Sequence, residues 1–142
     1  MFSLQLLFNM KSIHLIIACI AALFCFACNK ETAPEENTYT SVSVEEFAKC
    51  IAGENVVILD VRTINEYNAG HIENAINIDV EQNDFEEKAI AALPKKKTIA
   101  VYCRTGRRSK TASEILFNNG YNVVELDCGI NGWTKAGMPT VN

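Results

Sequence analysis

The chain is poor in the residues that build metal centres. It has two histidines and six scattered cysteines, and His71 stands alone in its stretch of sequence, so no cluster has metal-ligand spacing. No metal or other cofactor is expected. Positive charge is also scarce: 13 Lys and Arg against 17 Asp and Glu leave a net charge of −4, which argues against a nucleic-acid partner. No internal repeat is present, which excludes solenoids and propellers. No apolar run reaches the ~20 residues that a comfortable membrane-spanning helix needs.

The longest apolar run, Leu15 to Ala27, follows the short basic start Met10-Lys11-Ser12 and ends in Phe26-Ala27-Cys28. That is the layout of a secretory signal. A cysteine directly after a small residue resembles the lipobox of bacterial lipoproteins, although Cys25 and Phe26 stand where an aliphatic and a small residue are usual. Residues 1–28 are therefore expected to be a signal peptide and lipobox, with Cys28 lipidated and the chain exported, periplasmic or membrane-anchored through that lipid alone. An uncleaved anchor or plain secretion is the alternative. Residues 29–38, rich in Asn, Lys, Glu, Thr, Ala and Pro, cannot bury enough apolar surface to fold and read as a flexible tether. Residues 39–142 are enough for one compact domain.

Within that domain strand and helix signals alternate. Val56–Leu59, Thr98–Tyr102 and Val123–Leu126 are continuous apolar or nearly apolar runs, as expected of parallel strands covered on both faces, and Ala75–Ile78 is a weaker one. Ser43 with Glu46, and Thr63 with Glu66, form capping boxes ahead of two helices. Asp84 is expected to cap a third helix carrying Phe85, Ala89, Ala92 and Leu93, and a fourth is expected to run up to Gly120. This alternation predicts an α/β fold with a mostly parallel sheet and helices on both faces. Ligands then collect at the carboxyl ends of strands.

Cys103 stands at such an end, in Val101-Tyr102-Cys103-Arg104-Thr105-Gly106-Arg107-Arg108-Ser109. The loop joins a buried strand to a helix N-terminus and carries three arginines, and Gly106 leaves room for backbone amides to curl inward. Helix amides and guanidinium charge both attract an anion, and these are the surroundings in which a cysteine acts as a nucleophile. A structural cysteine beside a solvated basic patch is the plain alternative. It leaves three mutually repelling arginines without a purpose.

Four stretches together resemble a single-domain rhodanese, a sulfurtransferase module: Leu59-Asp60-Val61-Arg62, Glu66 through Ala75, the Cys103–Ser109 loop, and Gly129-Ile130-Asn131-Gly132-Trp133. The resemblance covers about Tyr39 to Thr140 and implies a rhodanese-like fold, a five-stranded parallel sheet flanked by helices. It implies transfer of a sulfane sulfur through a persulfide on Cys103, from thiosulfate or a persulfide donor to cyanide or a thiol. The substrate-binding residues would be Arg104, Thr105, Gly106, Arg107, Arg108 and Ser109. Ser109 either hydrogen-bonds near the cysteine or caps the helix. Asp60 and Arg62 are expected to pair or cap backbone groups, His71 to be structural and Trp133 to lie in the core.

Rival readings remain. A phosphatase of the same fold has five residues between cysteine and arginine, but here that arginine position is Ser109 and Arg108 falls one residue early. A thiol redox protein would pair Cys103 with Cys128, which replaces a glycine of the family pattern; the plain alternative is that Cys128 fills a tight turn. Modules of this fold that have lost the cysteine serve as non-catalytic interaction domains, but this chain keeps it.

Overall fold

The two capping boxes do what their spacing predicts. Ser43 Oγ accepts from Glu46 N at 3.3 Å and Glu46 Oε2 accepts from Ser43 N at 3.0 Å, opening α1 (Val44–Ile51). Thr63 and Glu66 repeat the exchange at 3.3 and 3.2 Å to open α2 (Ile64–Asn68). The computed structural model describes residues 39–142. The expected signal peptide, Cys28 and the tether at 29–38 lie outside the described residues.

Five strands follow in chain order: β1 (Thr40–Val42), β2 (Val56–Asp60), β3 (Ile76–Asn77), β4 (Thr98–Tyr102) and β5 (Asn122–Leu126). The later helices are α3 (Phe85–Ala92), α4 (Arg107–Asn118) and α5 (Gly129–Lys135). The strands form one all-parallel sheet in the order β1-β5-β4-β2-β3. This is the five-stranded α/β architecture expected from the alternating strand and helix signals and the motifs.

Alternation along the strands builds two cores. Leu59, Val101 and Val123 face α3 and α4 through Phe85, Ala89, Ala112 and Leu116. Their neighbours Ile58, Ala100, Tyr102 and Leu126 face α1 and α5 through Phe47, Ile130 and Trp133. Phe47 and Trp133 meet edge to face, with centroids 6.1 Å apart at 81°. Such a buried aromatic pair is costly to truncate, about 3–5 kcal/mol for Phe to Ala.

Sequence reading and structure part at short elements. β1 and α5 leave no signal in the sequence, because three residues and a short glycine-containing helix carry no readable period. The weak strand at 75–78 shrinks to Ile76–Asn77 at the sheet edge. Asp84 occupies the cap position of α3 but makes no side-chain capping bond; its carboxylate instead meets Lys88 at 2.9 Å on the surface. The fourth helix stops at Asn118, with Gly120 at φ +78° just beyond.

Candidate active site

β4 is the central strand of the sheet, and Cys103 follows its last residue directly. The cysteine is 1% exposed. Gly106 turns the chain with φ +96° and opens α4, so the sulfur lies at the positive end of a 12-residue helix. One loop amide is aimed at it: Gly106 N donates to Cys103 Sγ at 3.2 Å. Ser109 Oγ lies 3.4 Å from the same sulfur. Ser109 is the third residue of α4 rather than its cap, and its hydroxyl also lies 2.9 Å from Gly106 O.

The loop is held from behind by the segment after β5. Ile130 N donates to Cys103 O at 2.9 Å, and Asn131 N donates to Arg104 O at 3.1 Å. This approach explains two glycines. A Cβ on Gly106 would sit 1.9 Å from Asp127 O, and one on Gly129 would sit 2.6 Å from the Arg104 carbonyl and Thr105 N. The Gly129-to-Trp133 motif is thus a backbone clamp. Trp133 is its core anchor, buried, with Nε1 donating to Pro139 O at 2.8 Å.

The three arginines have separate fates. Arg108 meets Glu66 at 2.7 Å and Glu81 at 3.1 Å, and is held there. The Arg108 guanidinium in turn pulls the Glu66 carboxyl down to about 2. Arg104 and Arg107 are exposed, and neither belongs to an ion pair among the described residues. With Thr105, Arg108, Glu81 and Asn131 they line an open cleft of about 310 Å³. The cleft has room for a small ion, and the charges in it that are unpaired among the described residues are those of Arg104 and Arg107.

Asp60 and Arg62 form a buried pair, with Arg62 Nη2 2.6 Å from Asp60 Oδ2 and 2.7 Å from Gly70 O. His71 stacks on Tyr67 with centroids 3.8 Å apart, and its Nδ1 lies 3.0 Å from Tyr67 O. These residues shape the turns beside the loop and do not reach the sulfur. Cys128 packs in the core on the α1 and α5 face, its sulfur close to where a Cβ on Gly132 would lie, whereas Cys103 belongs to the opposite core. Cys50, Cys103 and Cys128 are all free thiols, and burial pushes the Cys128 thiol up.

One residue at the site was missed. Glu125, fully buried on β5, receives a 2.6 Å hydrogen bond from Ser109 Oγ and another from Ser41 Oγ. Its signal was in plain view, a carboxylate inside the apolar run Val123-Val124-Glu125-Leu126.

A parallel α/β domain with a cysteine in an arginine-bearing loop at the end of its central strand defines a class of anion-handling, cysteine-centred modules. Within that class, the model of the rhodanese-like domain matches residues 43–136, and the chain belongs to that family. A sulfurtransferase of Allochromatium vinosum is 33% identical over 62% of this chain and 80% of its own length. The thiosulfate sulfurtransferase PspE of Escherichia coli is 38% identical over 58% of this chain and 76% of its own. A rhodanese-related protein of Thermoplasma volcanium has the same fold, with a TM-score of 0.65 and 35% identity across 72% of this chain and 98% of that one. The chain is a rhodanese-like enzyme of the sulfurtransferase kind.

Proposed function

We propose that the protein moves a sulfane sulfur from a small anionic donor, such as thiosulfate or a persulfide, to cyanide or a thiol through a persulfide on Cys103. The observation that carries this reading is a single sulfur with an amide aimed at it, in a loop whose Arg104 and Arg107 line a cleft and are unpaired among the described residues. The Cys103 thiolate attacks the outer sulfur of thiosulfate. The bond to the inner sulfur breaks, its electron pair leaves with sulfite, and Cys103 keeps the outer sulfur as a persulfide anion. Cyanide or a thiolate then attacks that outer sulfur and releases the Cys103 thiolate. Two half-reactions through one covalent intermediate give ping-pong kinetics. Gly106 N and the start of α4 supply fixed dipoles for charge on the sulfur, and Arg104 and Arg107 draw the donor into the cleft.

Intact-mass spectrometry tests the reading directly. Incubation with thiosulfate should add one sulfur atom to the reduced wild type, cyanide should remove it, and Cys103→Ser should stay unchanged. Sulfur gained equally by Cys103→Ser would defeat the mechanism.

We also propose export, on the sequence of residues 1–28 alone, with Cys28 as the lipidated residue. Metabolic labelling with a radioactive fatty acid should mark the wild type and not Cys28→Ala; label retained by the variant would remove Cys28 from the account.

A further inference from the structure

The buried carboxylate of Glu125 has no place in the sulfur chemistry described so far. It is 0% exposed, and none of the ion pairs among the described residues includes it. A buried carboxylate is costly unless it is hydrogen-bonded, and here two hydroxyls do that work. One is Ser41 on β1; the other is Ser109, which also touches the Cys103 sulfur.

Ser109 has one proton and three neighbours that can accept it: Glu125 Oε1 at 2.6 Å, Gly106 O at 2.9 Å and Cys103 Sγ at 3.4 Å. While Glu125 is ionised it takes that proton bond, and Ser109 can only accept from Cys103. The matching form of the cysteine is then the thiol. If Glu125 carries the proton it donates to Ser109, and the Ser109 hydroxyl is released toward the sulfur. The matching form is then the thiolate. The row Cys103–Ser109–Glu125 has two self-consistent polarities, and one proton shift along it converts one into the other.

We propose that Glu125 is the proton acceptor for the Cys103 thiol, acting through Ser109. The Cys103 proton passes to Ser109 Oγ as the Ser109 proton passes to Glu125 Oε1. One buried negative charge moves from carboxylate to sulfur and the total is unchanged. Glu125 is thus a positioning residue, and Ser109 is the group in contact with the reacting atom. Tyr39 beside β1, Lys110 on α4 and Cys128 after β5 are the titratable groups that interact with Glu125, and Glu114 and Asp127 lie next to those groups. Lys110 is 2.6 Å from Asp127, so that cation is already engaged there.

The inference rests on Cys103 being the nucleophile, but it can be read without any sulfur donor. The test is the pH dependence of Cys103 alkylation by iodoacetamide on the full chain, followed by mass on the Cys103 peptide. Glu125→Gln and Ser109→Ala should each slow alkylation by roughly tenfold or more below about pH 7, with recovery in alkali where hydroxide takes the proton. The double variant should be no slower than either single one, because the two residues act as a unit. Ser109→Thr, which keeps a hydroxyl, should recover most of the rate that Ser109→Ala loses. Faster alkylation in Glu125→Gln would show a merely repelling charge and overturn the proposal, as would losses that multiply in the double variant. If Glu125→Gln does not fold, Ser109→Ala against Ser109→Thr decides: equal rates overturn it. A chain that alkylates as described yet gains no sulfur from thiosulfate would refute the transfer reading and leave the relay standing.

Discussion

At the scale of single residues, the arginines divide into those that hold the site and those that face the donor. Arg107 and Arg104 are exposed on the cleft and unpaired among the described residues, so their charge is available to an incoming anion. Replacing Arg107 by Ala should raise the donor KM several-fold while kcat changes little, with the difference shrinking as salt screens the field. Steady-state kinetics at low and high ionic strength check this; a fall in kcat alone would place Arg107 in the chemical step instead. Ser113 offers a stability prediction of opposite sign. Its buried hydroxyl has no hydrogen-bond partner among the described residues, so Ser113→Ala should stabilise the domain by about 1 kcal/mol in urea unfolding. The residue scale is also where the sequence was most and least legible. Cys103 announced itself through its loop, whereas Glu125 did not, because its meaning depends on Ser41 and Ser109, partners brought together only by the sheet.

At the scale of elements, the loop after β4 and the segment after β5 behave as one unit. Gly129 has φ +59° and no room for a Cβ, while Gly137 has φ +77° and open space around it. Both positions impose a left-handed backbone, but only Gly129 adds a collision with the active loop. Gly137→Ala should therefore cost about 1 kcal/mol and leave transfer intact. Gly129→Ala should cost more than about 2 kcal/mol and lower sulfur loading with it. Equal costs for the two would mean the clamp is slack. The helices with capping boxes were readable because their signals are local. The clamp was readable only as a motif, since nothing in Gly129-Ile130-Asn131 says which backbone it must meet. β1 was unreadable because its three residues pair with a strand more than eighty positions away.

At the scale of the whole molecule, Arg108 ties the start of α4 to α2 through Glu66 and to the chain after β3 through Glu81. Arg108 holds the folded Glu66 carboxyl at about 2, against an ordinary 4.5. A depressed carboxyl contributes stability fully above its ordinary value and loses that contribution as the pH falls toward the folded one. Glu66→Gln retains an acceptor for the capping box but not the charge. It should destabilise the protein by roughly 1 kcal/mol near neutrality, since the pair is partly solvated. Its deficit in Tm should vanish as the pH is lowered from about 4.5 to about 2. A deficit independent of pH would assign the effect to the cap rather than to the ion pair.

The sheet order also bears on when the chain can complete itself during synthesis. Among the described residues β1 is made first of the strands, yet it pairs with β5, made last. A nascent chain therefore carries β1 unpaired until residues 122–126 have emerged, and a loop of that span closes slowly. Ser41, Glu125 and Ser109 come together only at that moment, as does the clamp that follows β5. Until then Cys103 is an ordinary thiol on an unfinished chain, and its reactive surroundings are among the last things the molecule makes.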